Sequence, residues 1–412
     1  MFRKLMTFDE AKKLIEKRIE AKPVGVEDIE LSEAYKRVLA EDVTSSLDIP
    51  PFDRSTVDGY AVKAEDTFGA EENKPITLKI CGSVNIGELS ELIVNDGEVA
   101  EIVTGAPIPS GADASVMVEN TNRENDQLQI YRSVTKFENI MKKGTDIKKG
   151  ETVLKAGRVL GSREVGTLAA LGASHIKVYK IPKVAVISTG GEITAPGSEL
   201  LPGKIFDINA YSLSTAVLES GGKPILSGVV PDEKDILFNK LKKALKSADI
   251  VLTSGGVSVG PKDIIPKTVD SLGNPGVLFS GVAIKPGKPT TLALIGKKIV
   301  FSFPGHPTSA LLNFHLLAKP IIQSMAGRPQ PEYSKVKAIA GKRMFSAKGR
   351  RTFVMVKLVK SKSAEYTAEP VETGASGAIT TLAKADGFIE IPENQQFVDI
   401  KEIVDVTLFG EN

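Results

Sequence analysis

Apolar positions near the start of the chain recur at helical spacing. Phe8, Ala11, Leu14, Ile15 and Ile19 predict an amphipathic helix over residues 7–21, and Thr7 with Glu10 forms a capping-box pattern at its start. A second short helix is expected from Ser32. From Ser45 the pattern changes, and the two prolines of Asp48-Ile49-Pro50-Pro51-Phe52-Asp53 predict extended loop. Between residues 75 and 140, short β-rich runs (76–80, 98–103, 115–118, 128–134) alternate with Gly, Asn and Asp turns, which predicts a small all-β module. Residues 144–180 mix turns with a short helix around 163–171.

Residues 183–326 carry the clearest alternation. Three apolar strand runs (184–188, 250–252 and 299–303) end in Thr189-Gly190-Gly191, Thr253-Ser254-Gly255-Gly256 and Pro304-Gly305. A fourth strand is expected at 225–230. Helices are expected at 209–220, closed by Gly221-Gly222, after Asp232, and through Leu311, Leu312, Leu316 and Ile321. Such alternation implies a largely parallel, doubly wound sheet with helices on both faces. From Ser334 strand patterns return (336–339, 352–359, 387–391, 403–407). The fold class is therefore multidomain α/β plus β. Residues 1–50 with 144–180 are read as an elongated N-terminal α/β linker domain, 51–143 as the β-rich module, 181–328 as the α/β domain and 329–412 as a C-terminal β-barrel-like domain.

Composition narrows the chemistry. At 412 residues, two or three folding units are expected. Lys and Arg number 53 against 51 Asp and Glu, a near-balance that argues against a dedicated nucleic-acid binder. A single cysteine, Cys81, excludes an intrachain disulfide and a multi-cysteine zinc site. With only His175, His306 and His315 besides, any bound metal is expected to be hard and oxygen-ligated, with Mg²⁺ the default. No run approaches the length of a membrane span and the first residues lack an apolar signal region, so a cytoplasmic protein without membrane partners is expected.

The three glycine-rich turns should lie together beyond the carboxyl ends of the parallel strands, where such sheets bind ligands. Close backbone N–H groups and helix N-termini there favour an anion, phosphate above all. One glycine turn alone is what any α/β domain requires. Three turns flanked by the hydroxyls of Thr189, Ser254 and Ser258 favour a binding site. Glu192, Asp232 and Asp263 each follow a strand end, and carboxylates converging on phosphates are best bridged by Mg²⁺. Asp232 reads equally as a helix N-cap. In Lys285-Pro286-Gly287-Lys288-Pro289, prolines stiffen a loop that presents two cations. The stretch Pro304-Gly305-His306-Pro307-Thr308-Ser309 precedes a helix and can cradle a phosphate or a ring. His306 there is either a donor to the ligand or an ordinary loop residue. His315 is read as structural.

Six segments in order, Ser55–Ala61, Thr104–Asp113, Ser188–Glu192, Thr253–Gly260 with Asp263, Lys285–Pro289 and Pro304–Pro307, resemble the molybdopterin molybdenumtransferase family across essentially the whole chain. The resemblance implies a homodimer that inserts molybdate, or tungstate, into adenylylated molybdopterin as the adenylyl bond is hydrolysed, with Mg²⁺ assisting. It implies that Asp58 and Thr104 of a second subunit face Glu192, Asp232, Asp263 and Lys285, and that Ser376 lines the molybdate side. An adenylyltransferase and the molybdoenzymes that receive the cofactor are the implied protein partners. Three positions depart from the family pattern: His306 stands where Asn is common, and Met141 and Gly281 stand where a basic residue is frequent, with Lys142 and Lys143 as nearby substitutes. The alternatives are the related molybdopterin adenylyltransferase, which resembles residues 183–326 alone, a non-enzymatic gephyrin-like scaffold, and a nucleotide or pyrophosphate hydrolase, which leaves Asp58 and Thr104 unexplained.

Overall fold

The computed structural model describes residues 5–88, 90–256, 264–329, 334–360, 365–371 and 379–410. It falls into two compact units, one of residues 1–40, 157–161 and 175–412, the other of residues 41–156 and 162–174.

The first unit opens with the expected helix, Phe8–Arg18. Its capping box is complete: the Glu10 amide donates to the Thr7 hydroxyl at 3.2 Å, and the Thr7 amide to the Glu10 carboxylate at 2.8 Å. No α-helix follows at Ser32. Only a single 3-10 turn, Leu31–Glu33, forms there, because Val38 and Leu39 are drawn into β-bridges with Val159 and Val178. Strand Val26–Glu30 pairs antiparallel with His175–Tyr179.

The α/β domain of this unit comprises β1 (Lys183–Thr189), α1 (Asn209–Glu219), β2 (Lys223–Val230), α2 (Lys234–Ser247), β3 (Ile250–Ser254), α3 (Ile264–Asp270), β4 (Pro275–Ser280), β5 (Thr291–Ile295), β6 (Lys298–Phe303) and α4 (Pro307–Asn313). The strand order is β2-β1-β3-β6-β5-β4. The first four strands are parallel, and β5 and β4 continue the sheet antiparallel. These last two strands are an addition to the sequence expectation. The faces are covered separately, as a doubly wound sheet requires. Leu213, Val217, Phe314 and Ile322 pack with Val186, Leu252 and Phe301 in one core. Leu237, Leu241, Ile265 and Val269 pack with Ile187, Val251 and Val300 in the other. Helix α4 runs on through a π-turn, Phe314–Ala318, into Lys319–Met325. His315 in that turn is buried between the rings of Phe314 and Phe409. Burial, with Lys319 nearby, pushes its pKa down to about 3, so it stays neutral and structural.

C-terminal strands β7 (Lys335–Ala340), β8 (Arg351–Lys360), β9 (Tyr366–Pro370), β10 (Gly387–Ile391) and β11 (Ile403–Leu408) are ordered β8-β9-β7-β11-β10. Pairing of β8 with β10 closes them into a five-stranded barrel. Closure leaves no free edge. The short strand Ile284–Lys285 pairs with Arg351–Thr352 of β8 and so joins the α/β domain to the barrel. Phe8 packs edge-on against Phe353, which packs edge-on against Phe388.

In the second unit, Ala114–Met117, Gly59–Val62, Glu98–Ile102, Ile76–Val84, Gln127–Ile130 and Thr121–Glu124 form a six-stranded sheet in that order. Its core is built from Tyr60, Val62, Leu78, Val99, Val116, Leu128 and Ile130. Among the described residues no helix is long and apolar enough to cross a membrane.

The central sheet predicts its own weak point. Phe301 is fully buried and stacks on Phe303 at 5.6 Å between centroids. Phe301→Ala should lower the stability of this unit by about 3–5 kcal/mol, measured by denaturant unfolding; a loss below ~1 kcal/mol would contradict the packing described.

Candidate functional site

Because β1, β2, β3 and β6 are parallel, their carboxyl ends share one edge of the sheet. Strand β4 points the same way, since it is antiparallel to β5, which is antiparallel to β6. The segments after β1, β2, β3, β4 and β6 therefore all emerge along this edge.

The turns after β1 and β3 touch. Gly255 has φ +99°, and a Cβ there would overlap the Thr189 carbonyl oxygen; only glycine fits. Gly256 sits between the Thr189 hydroxyl and the Asp232 carboxyl, with a Cβ built on it standing 2.9 Å from the first and 3.2 Å from the second. Thr189 and Ser254 are buried, while Gly255 and Gly256 are half-buried. Glu192 folds back over Gly190, and the Lys204 ammonium reaches the Gly191 carbonyl. Lys204 had no distinguishing pattern in the sequence.

The first turn of α1 holds this edge together. The Asp207 carboxylate accepts from the Ser188 hydroxyl at 2.9 Å and from the Ala210 amide at 3.0 Å. The Asn209 amide nitrogen donates to the Ser254 hydroxyl oxygen at 2.7 Å and to the Gly305 carbonyl at 2.8 Å. The Ser254 hydroxyl in turn donates to the Pro304 carbonyl at 3.1 Å. Asp207 and Asn209 were absent from the sequence-derived candidates. An Asp-x-Asn before an amphipathic run signals a helix start, and nothing in the sequence marks its partners 19 to 96 residues away.

Asp232 is not a helix cap. Glu233 occupies the N-cap position of α2, and no side-chain cap bond forms there. The Asp232 carboxyl instead faces Gly256 and Thr189. Partial burial of that carboxyl, and then the charge of Glu192, hold its pKa above the ordinary carboxylate value. Glu192 and Asp232 are thus neighbours of like charge. Asp263 and Ser258 lie outside the described residues, as does Ser376. Among the described residues no group of three or more His, Cys, Asp or Glu side chains is placed to hold a metal.

Lys285 is exposed and Lys288 half-buried in the loop after β4. That loop is anchored by Asn313 of α4, whose amide donates to the Gly287 carbonyl at 3.0 Å, and by the Thr290 hydroxyl, which donates to the same oxygen at 2.9 Å. The ends of β1 and β4 are four strands apart, about 19 Å at ~4.8 Å per strand. The lysine loop leaves the sheet at that far strand and is tied back through Asn313 to α4, which follows β6. Pro307 takes the first helical position of α4, His306 is its exposed N-cap without a side-chain cap bond, and Ser309 is buried.

In the second unit, Asp58 and Thr104 come together. The Asp58 carboxylate accepts from the Thr104 amide at 2.6 Å, and hydrogen bonds from the Thr104 backbone and side chain hold its pKa below the ordinary range. The two atypical positions also have local explanations. Gly281 has φ +94°, a conformation that disfavours any residue with a Cβ, and a Cβ there would also press on the tip of Leu5. Met141 pairs with Arg54 across two short strands, its sulfur accepting from the guanidinium at 3.3 Å. Lys142 places its ammonium 3.3 Å from the centre of the Phe137 ring, and Lys143 lies 3.6 Å from Asp48.

The carboxylate pair yields a titration test. A raised folded-state pKa means that ionised Asp232 opposes folding above that pKa, and the penalty fades as pH falls through it. Carboxyl-carbon NMR should show Asp232 titrating above the ordinary Asp value. Glu192→Gln should move it only part of the way back, because burial, the larger cause, remains. An unmoved midpoint would mean that the two carboxylates do not interact.

Family models match along the chain in sequence order: the MoeA N-terminal region (domains I and II) over residues 6–172, a probable molybdopterin binding domain over 185–324, and the MoeA C-terminal region (domain IV) over 337–409. The chain is 34% identical over 387 residues to the molybdopterin molybdenumtransferase of Bacillus subtilis, covering 93% of this chain and 90% of that one. It is 34% identical over 380 residues to the enzyme of the same name from Staphylococcus aureus, covering 92% and 90%. A crystal structure of the molybdopterin biosynthesis MoeA protein from Pyrococcus horikosii superposes with a TM-score of 0.88 at 42% identity, over 99% of this chain and 100% of that one. The chain belongs to the MoeA family, the family of these molybdopterin molybdenumtransferases.

Proposed function

We propose that this chain is a molybdopterin molybdenumtransferase, which inserts molybdate, or tungstate, into adenylylated molybdopterin as the adenylyl bond is hydrolysed. The observation that carries the reading is the placing of Glu192 over Gly190 and of Asp232 against Gly256, on the touching turns after β1 and β3, in a chain related to such enzymes over nine-tenths of its length. Relatedness over the full chain, and not over residues 185–324 alone, favours insertion over the adenylyltransferase alternative and over a hydrolase sharing only the α/β domain.

Mg²⁺ belongs to this reading, and the residues present fit it. Two carboxylates that repel each other supply hard oxygen donors, and a divalent cation relieves the repulsion. Glu192 and Asp232 would hold it, with Asp263 as the third ligand. A bound Mg²⁺ supplies charge neutralisation at the phosphates.

The chain's own groups do the rest. Gly190, Gly191, Gly255 and Gly256 let the backbone approach the phosphates closely, and Thr189, Ser254 and Ser258 add hydroxyl donors or the packing behind them. Lys285 and Lys288, on the loop between β4 and β5, offset oxyanion charge on the substrate. Pro304, Gly305, His306, Pro307 and Ser309 shape the wall between. Asp58 and Thr104 enter through a second subunit of a homodimer, and Ser376 faces the molybdate side. A cytoplasmic location, transfer of the pterin from an adenylyltransferase and delivery to molybdoenzymes complete the reading.

The test uses purified protein with adenylylated molybdopterin, molybdate and Mg²⁺. Glu192→Ala and Asp232→Ala should each lower AMP release on the order of a hundredfold or more, with unchanged circular dichroism. Chelating Mg²⁺ should do the same to the unaltered chain. Full activity in both variants would remove the carboxylates from the mechanism.

A further inference from the structure

Three strand ends carry the proposed substrate turns, and residues 207–209, at the entry to α1, are bonded to all of them. Asp207 holds the end of β1 through Ser188, while Asn209 bridges the end of β3 to the turn after β6. Asn209 is more than nine-tenths buried, as is Ser254. The Asn209 amide donates to both the Ser254 hydroxyl and the Gly305 carbonyl, and Ser254 passes the connection on to Pro304. Asn209 and Ser254 thus form a single bonded unit that ties the two glycine turns together just beyond the β3–β6 ladder, whose last backbone bond runs from the Gly255 amide to the Phe303 carbonyl at 3.2 Å; past that bond Gly255 and Gly305 meet without side chains.

We infer that Asn209 is a positioning residue for substrate binding. It acts through Ser254 and Gly305 and sets the spacing of the Ser254–Gly255–Gly256 turn against the Pro304–Gly305 turn. The inference rests on the proposed use of this edge by the pterin substrate. An asparagine suits the task because its amide nitrogen offers two donors in one plane, one for each turn. Aspartate offers acceptors only, and would set a carboxylate oxygen against the Gly305 carbonyl. Turn displacement of about 1 Å is enough to cost on the order of a hundredfold in a well-organised site.

The experiment compares the full chain with Asn209→Ala, Ser254→Ala and the double variant. Affinity for adenylylated molybdopterin is read from pterin fluorescence without molybdate, and turnover is read separately as AMP release. The expected result is a rise of about tenfold in Kd and KM for the pterin in Asn209→Ala, with KM for molybdate unmoved. A smaller rise of the same kind is expected in Ser254→Ala, which removes one hydroxyl and leaves the fold intact. The double variant should fall short of the product of the single effects, because both residues serve one unit. A residue needed only for folding would lower the active fraction and leave both KM values unchanged, and that outcome overturns the inference. Independent, multiplying effects overturn it as well. Loss of AMP release by the unaltered chain would instead strike the functional reading, while fluorescence titration still reports on Asn209.

Discussion

Glu192 lies over Gly190 and Asp232 against Gly256 at one sheet edge, where partial burial of Asp232, and then the like charge of Glu192, disfavour the ionised carboxylate. Asp232 does not cap the helix that follows it, where Glu233 is the N-cap residue. In the proposed function, a phosphate-bearing substrate with its divalent cation would offset that cost. The parallel order β2-β1-β3-β6 makes the arrangement available, because it collects residues far apart in sequence at one edge.

Rigidity beneath that edge comes from buried hydrogen bonds more than from glycine. Ser188, Asp207, Asn209 and Ser254 are all buried and bonded to one another or to nearby backbone. Polar groups so placed are costly when unpaired and specific when paired. The turns above are free of bulky side chains, so their positions are set from below. The lysine loop is fixed in the same manner from α4, through Asn313 and Gly287.

Much of this was legible in the sequence where the signal is local. The Thr7–Glu10 capping box, the strand runs ending in glycine turns and the start of α4 at Pro307 are encoded within a few residues. The α-helix expected at Ser32 failed because bridges to residues more than a hundred positions away captured Val38 and Leu39. Asp232 reads from spacing equally as a cap or as a site carboxylate, and its neighbour Glu233 takes the cap position. Strands β4 and β5 have too short a pattern to stand out, and their pairing gives them away only in three dimensions. Asp207 and Asn209 escaped for the same reason: their function lies in partners distant along the chain. Gly281 is explained by its backbone, whose φ of +94° favours glycine.

The most direct measurement counts products in a single purified reaction of the unaltered chain with adenylylated molybdopterin, molybdate and Mg²⁺. One AMP released for each metal atom incorporated into the pterin, with neither product formed when Mg²⁺ is withheld, is the result the account predicts. AMP released without metal incorporation, or metal incorporated without AMP, would contradict it.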